Sequence, residues 1–345
     1  MQDYMIKKMP EDFVVKEITS LQFHQTKDRY LIYKLKKVNR NTEDCVQFIS
    51  KKLKIPRKFI GFAGAKDRNA ITEQYISIMD KQNIEKRIEN AKEAFENFSL
   101  NFIGYSNNPI SLGDLKENRF EITIRNINKE FEIKKPYFIV NYYDEQRFSK
   151  NNKEIGKALL KKDFKQVVIL LKEQNKIDDE MINLYKEDYI KIIRHTPLKI
   201  LKLFVHSYQS FLFNELCKQI LIKEKYSFVE IDYSQGKLFF ALNEPKNKEL
   251  PILGFGSEIE EKYVSIIDEL LEKEKIDLRE FIIKQIPEVS SFGTQRKFIT
   301  NISDFSNEEF LDDELNLNKK KVKIKFSLGK GSYATLVVKK IMSMH

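Results

Sequence analysis

The stretch GFAGAKDRNAITEQYISI, residues 61–78, reads as strand, turn and strand. Phe59 to Ala63 is apolar and stops at Gly64, and Ala65-Lys66-Asp67-Arg68 form a turn. From Gln74 to Met79 the side chains alternate, with Tyr75 facing opposite to Ile76 and Ile78. Gly61 and Gly64 allow another backbone or a ligand to approach closely. Asp67 stands between two cations, which favour its ionised form. An ionised carboxylate on such a turn can act as nucleophile or base. It can equally close the turn by Asx-type hydrogen bonding, and spacing alone does not choose between the two.

The neighbouring segments extend the same pattern. Tyr30 to Lys36 alternates, with Leu31, Tyr33 and Leu35 on one face. A helix is predicted after it: Asn41 or Thr42 caps it, Cys45, Val46, Phe48, Ile49 and Leu53 form its apolar stripe, and Pro56 closes it. Upstream, PEDFVVKE at 10–17 reads as a turn and a strand, with Phe13 and Val15 on one face and Phe13 in the core by default. Downstream, LGDLKENRFEITIR at 112–125 contains the clearest strand, Arg119 to Arg125. Asn118 and Phe120 share a face there. An amide and a ring facing together suit reading a base edge and stacking on its face. Phe120 in the core and Asn118 in a turn is an equal reading. The run NYYDEQRF at 141–148 mixes aromatic, amide and guanidinium groups, which suits RNA contacts and also an ordinary polar loop.

From about Asn151 the period becomes helical. Lys157–Glu173, Ser207–Lys223 and Glu258–Lys273 are predicted helices. Near Lys319 the chain returns to a strand, with Val322, Ile324 and Phe326 alternating. Gly331-Ser332 then caps a last helix through Met342. Mixed strands and helices at both ends around a helical middle predict an α+β fold with an insertion. The expected division is 1–150 plus 301–345 for one domain and 151–300 for the inserted one.

Composition limits the function classes. The chain has 345 residues, 41% of them hydrophobic and 32% charged, enough to bury a core. Its longest apolar runs are far short of the ~20 residues that span a bilayer. The segment MQDYMIKKMPEDF lacks the apolar core of a secretory leader. Cys45, Cys217 and four histidines form no metal-ligand spacing, and isolated cysteines suit a reducing cytoplasm. Gly329-Lys330-Gly331-Ser332 lacks the first glycine of a phosphate-binding loop. The net charge is +10, carried by 61 Lys+Arg against 51 Asp+Glu. Residues 1–150 are net +7, 151–300 net +1 and 301–345 net +2. A partner bearing phosphates would therefore bind mainly the terminal segments. A solvated Lys-rich surface is the plain alternative.

Taken in order, these segments resemble the TruD family of tRNA pseudouridine synthases. The family pattern runs Lys, PEDFxVxE, GxAGxKDxxAxTxQ, GNxF, NYFGxQRFG, an inserted helical domain and a closing (F/W)xLPxGS(F/Y)AT. Here it reads Lys7, PEDFVVKE, GFAGAKDRNAITEQ, Glu117-Asn118-Arg119-Phe120, NYYDEQRF and FSLGKGSYAT at 326–335. Ser207–Asn214 (SYQSFLFN) and Leu250–Gly254 (LPILG) match inside the insertion. Glycines of the pattern are lost at Asp144 and Ser149.

The resemblance implies a mixed-sheet pseudouridine synthase domain carrying an inserted, largely helical α/β TRUD domain. It implies an isomerase that converts uridine 13 of tRNA without cofactor or metal; a cytoplasmic monomer is the expectation beside it, although the sequence leaves the oligomeric state open. It assigns Asp67 as the catalytic residue. Lys7, Phe13, Asn118, Phe120 and Tyr333 become active-site and substrate-binding residues, and Lys66, Arg68, Asn141, Tyr143, Gln146 and Arg147 become RNA contacts. An RNA-binding or RNA-chaperone protein of the same fold without turnover is the alternative. RNA methyltransferase is disfavoured, because no GxGxG-type turn follows a strand near the start.

Overall fold

The computed structural model describes residues 4–81, 84–149, 151–186 and 188–345. Two compact units emerge. The first comprises 1–137 and 301–334, the second 138–300 and 335–345. The expected break near 150 thus falls earlier, and the last helix groups with the middle of the chain.

In the first unit β1 is Phe13–Ile18, β2 Tyr30–Val38, α1 Thr42–Lys52, β3 Ile60–Phe62 and β4 Ile71–Met79. After these come α2 Ile84–Ala91, β5 Phe98–Ser106 and β6 Glu117–Ile127. The second unit carries β7 Phe138–Val140, α3 Asn152–Leu160, α4 Phe164–Glu173, α5 Asp179–Leu184, α6 Tyr189–Arg194 and α7 Leu198–Lys223. It continues with β8 Phe228–Tyr233, β9 Gly236–Ala241, β10 Glu249–Ile252, α8 Glu261–Glu274 and β11 Thr294–Lys297. The chain returns through β12 Ile299–Asn307, β13 Leu311–Asp312 and β14 Lys320–Gly329, and ends in α9 Ala334–Met342.

The first unit is built on one mixed sheet, in the order β5-β2-β4-β1-β6-β14-β12, with β3 added to β4 and β13 to β14. Only the β1–β4 pair among these is parallel; β1–β6 and β6–β14 are antiparallel. The alternation read from Tyr30 decides the layering. Leu31, Tyr33 and Leu35 pack with Cys45, Val46, Ile49 and Leu53 of α1 and with Ile76 and Ile78 of β4. The opposite face of β2 places Tyr30 and Ile32 with Ala63 and Ile110. Gly61 is required where it stands, because a Cβ there would lie 2.2 Å from the Ile110 carbonyl oxygen. Gly64 has no such crowding.

In the second unit the predicted helix 157–173 is two helices, α3 and α4. Lys162 takes a φ of 58°, and Asp163 caps α4 by accepting from the Gln166 N–H at 3.0 Å. A helical period across a three-residue break is preserved when both halves bury the same side, which is why the stripe concealed the turn. Among the described residues no helix is long and apolar enough to cross a membrane.

Candidate active site

The turn between β3 and β4 is tied down almost residue by residue. Gln74 Nε2 donates to the Gly64 carbonyl at 3.0 Å. Thr42 Oγ1 accepts from the Lys66 N–H at 3.0 Å and donates to Gln74 Oε1 at 2.8 Å. Lys37 Nζ donates to the Asp67 carbonyl at 2.6 Å and to the Lys66 carbonyl at 3.4 Å. Lys66 does not share Asp67's exposure. Its ammonium forms an ion pair with Glu17 Oε2 at 2.6 Å, with both side chains buried. Arg68 is exposed. So of the two cations flanking Asp67 in sequence, one is turned inward as an anchor.

The cation that meets the Asp67 carboxylate comes from elsewhere. Lys7 Nζ lies 3.3 Å from Asp67 Oδ1, and both side chains are about a quarter exposed (23% and 25%). The same ammonium sits 3.9 Å from the centroid of the Phe13 ring, a cation–π contact. Lys7 holds a φ of 59°, a left-handed conformation that costs a lysine on the order of 1 kcal/mol. Such strain persists when both sides of the residue are fixed, and here Arg125 fixes them. Met5 and Arg125 exchange backbone hydrogen bonds of 2.9 and 2.8 Å. Beyond Lys7, Arg125 Nε donates to both carboxylate oxygens of Asp12, at 2.9 and 3.0 Å.

Phe13 and Glu17 lie on β1 opposite Ile122 and Asn118 of β6. Directly opposed residues of an antiparallel pair share a face. Phe13, Val15 and Glu17 therefore line one surface with Asn118, Phe120 and Ile122. β14 continues that surface, with Phe326 opposite Phe120 and Leu328 opposite Asn118. The Phe120 ring stacks on Phe326 (5.5 Å, 27°) and meets Phe13 edge-on (6.1 Å, 67°). Asn118 Oδ1 is buried and accepts no hydrogen bond among the described residues. Through Glu17–Lys66 and Lys7–Phe13 the Asp67 turn is anchored over this same face. Half-buried Tyr333 follows the end of β14, where Gly329 pairs with Glu117. Chemically, the assembly sets a part-exposed carboxylate and ammonium beside the buried rings of Phe13, Phe120 and Phe326 and a buried amide oxygen that accepts no bond among the described residues.

Comparison with known proteins gives this arrangement its context. The family description tRNA pseudouridine synthase D (TruD) matches residues 3–183 and 243–341. The chain belongs to the TruD family. The activity of that class is an isomerisation. A protein of Aquifex aeolicus named tRNA pseudouridine synthase D is 30% identical, over 98% of this chain and 98% of its own. A probable tRNA pseudouridine synthase D of Methanocaldococcus jannaschii is 32% identical, over 97% of this chain and 90% of its own. The crystal structure of the TruD protein from Methanosarcina mazei superposes with a TM-score of 0.68 at 26% identity, covering 98% of this chain and 93% of that one.

The TruD motif NYYDEQRF lies in the second unit, where most of it is spent on internal bonds. Arg296 donates to the Asn141 carbonyl at 2.9 Å and to its Oδ1 at 2.8 Å, while Asn141 Nδ2 donates to the Lys297 carbonyl. The Tyr143 backbone exchanges bonds of 2.9 and 2.8 Å with the Asn214 amide, and the Arg296 guanidinium stacks 4.2 Å from its ring centroid. Arg147 Nε donates to Ser210 Oγ at 3.0 Å. Gln146 is exposed. Asp144, in place of a TruD glycine, is buried; it pairs with Lys339 Nζ at 2.6 Å and accepts from Thr335 Oγ1. Its φ of −103° needs no glycine. Sequence reading passed over Lys37, Glu17 and Arg125. Lys37 carried a signal, since it continues the buried row Leu31, Tyr33, Leu35 on β2.

Proposed function

We propose that this chain isomerises uridine 13 of tRNA to pseudouridine, with Asp67 as the group that starts the reaction. The observation that carries the reading is the Lys7–Asp67 pair set against the Phe13 ring. In the reaction the N1–C1′ bond of uridine breaks, the uracil turns and C5 bonds to C1′; the C5 proton leaves to solvent and N1 takes up a proton from solvent, so the product is an isomer. Attack of a carboxylate on C1′ and removal of the C2′ proton both begin from ionised Asp67, which Lys7 pairs. Phe120, backed by the buried Phe326, is read as the ring that stacks on the base, worth ~1–3 kcal/mol per base. That helps offset the few kcal/mol of flipping the uridine from its stack. The free Asn118 Oδ1 is an acceptor for the uracil imide N–H, and Tyr333, four residues past the end of β14, is assigned as a further substrate contact. The first unit is read as the catalytic domain and the second as the inserted TRUD domain, with Arg68 and Gln146 as exposed RNA-contacting groups on each.

The test is tritium release from tRNA transcripts labelled at uridine C5. Wild-type protein is expected to release tritium, Asp67→Asn to release none while binding tRNA within several-fold, and a transcript with cytidine at position 13 to be inert. Release by Asp67→Asn would remove Asp67 from its role. Undiminished release from the position-13 transcript would move the target elsewhere.

A further inference from the structure

We propose that Lys37 is a positioning residue of this active site, whose buried ammonium clamps the main chain at Asp67 and thereby sets where the carboxylate stands. The inference rests on Asp67 being the group that starts the reaction. Lys37 is wholly buried, at 0% exposure. Its ammonium has no carboxylate partner among the described residues; it donates to the Asp67 carbonyl at 2.6 Å and the Lys66 carbonyl at 3.4 Å. Asp67 is thus held by two lysines, its side chain by Lys7 and its main chain by Lys37.

Stability does not account for this arrangement. Burying an ammonium is costly, and apolar residues of similar volume commonly replace buried charges without loss. A methionine at position 37 would continue the apolar row of β2. What a methionine cannot supply is a pair of charge-assisted bonds to two successive carbonyls. Those bonds fix the peptide planes before and after the Asp67 Cα, and a displacement of about 1 Å in a reacting group can cost ~10²-fold in rate. Other side-chain ties to the main chain of the turn reach Gly64 and the Lys66 N–H, so among the described residues Lys37 is the side chain that reaches the Asp67 main chain.

The groups facing Lys37 define its titration. Cys45 comes from α1, Lys66 and Asp67 from the turn, and the uncharged Thr72 and Phe98 stand opposite on β4 and β5. Burial brings Lys37 down to about 8, with Cys45 and Asp67 opposing that shift and Lys66 adding to it. Burial also pushes the Cys45 thiol up to about 11, so it stays neutral. The clamp therefore loses its charge as pH rises through about 8.

The experiment measures kcat and KM by tritium release for wild type, Lys37→Met and Asp67→Asn, from about pH 6.5 to about pH 9.5. Near neutrality Lys37→Met is expected to lose kcat by about tenfold or more, with KM for tRNA within about threefold. The wild-type kcat is expected to fall with a midpoint near 8, a limb that Lys37→Met lacks. A Lys37→Met enzyme within about twofold of wild-type kcat, or one showing the same alkaline limb, overturns the proposal. If that variant does not fold, the wild-type profile decides, because a kcat unchanged across about pH 8 is equally fatal. An active Asp67→Asn overturns the reading beneath it; an inactive Asp67→Asn beside an active Lys37→Met overturns Lys37 alone.

Discussion

Lys7 Nζ meets Asp67 Oδ1 at 3.3 Å across 60 residues of sequence, on a segment whose two ends are both held by Arg125. Lys7→Met removes the cation facing the carboxylate. The pair is partly exposed, so its direct contribution to stability is about 0–1 kcal/mol, while a charge placed at a reacting centre is worth ~10²-fold in rate. The expected result is a kcat loss of about that size with an almost unchanged melting temperature, read by tritium release and thermal denaturation.

Arg125 ties the segment 5–12 to the sheet. Its guanidinium donates to Asp12, to Asp313 at 2.7 Å and to Glu314 at 3.0 Å, and the Asp12 and Asp313 side chains are buried. Arg125→Met leaves two buried carboxylates without their cation. Removing one member of a buried pair costs ~3–5 kcal/mol, to be read as a lower urea midpoint. Activity should fall further than the unfolded fraction explains, since Lys7 loses its fixed approach.

Asp144→Gly restores the residue of the TruD pattern at that position, yet it is predicted to destabilise this chain. Lys339 would lose its buried 2.6 Å partner and keep only the more exposed Glu145 at 3.4 Å, and Thr335 would lose its acceptor. A loss of ~3–5 kcal/mol is expected. Chemical denaturation of Asp144→Gly beside Asp144→Gly/Lys339→Met measures it, and the double variant should recover part of the loss.

Two buried lysines give stability an unusual pH dependence. Lys37 and Lys340 are both lowered from 10.5 to about 8 by burial. Between those values the unfolded chain binds more protons than the folded one, so their contribution makes the protein more stable as pH rises. Above about 9 the buried thiols of Cys45 and Cys217, both raised by burial, act in the opposite sense. Urea midpoints should therefore rise from about pH 8 to about pH 9, and Lys37→Met/Lys340→Met should flatten that rise. A wild-type midpoint falling across this interval would contradict it.

Much of the scaffold was legible because it repeats locally. The alternation of Leu31, Tyr33 and Leu35, of Phe120, Ile122 and Ile124, and of Val322, Ile324 and Phe326 marks strands whose one face is buried. The α1 boundaries follow from Asn41 and Pro56. The roles of Thr42, Lys66 and Asp144 were not legible. Of the two caps the sequence offers, Asn41 is the N-cap residue, and Thr42 bonds Lys66 and Gln74. Lys66 was read as a flanking cation and is a buried anchor to Glu17. Asp144 was read as a lost glycine and holds Lys339, 195 residues away.

By itself the sequence determined the residue types of the site, the strands that carry them and the family to which the chain belongs, because period and motif are local properties of the chain. Only the tertiary structure decided which cation faces Asp67, which one is spent inside, and that a lysine on the core face of β2 reaches the Asp67 backbone. The physical reason is that a charge is placed by the partners that meet it when distant segments pack, and those partners leave no pattern in the residues beside it.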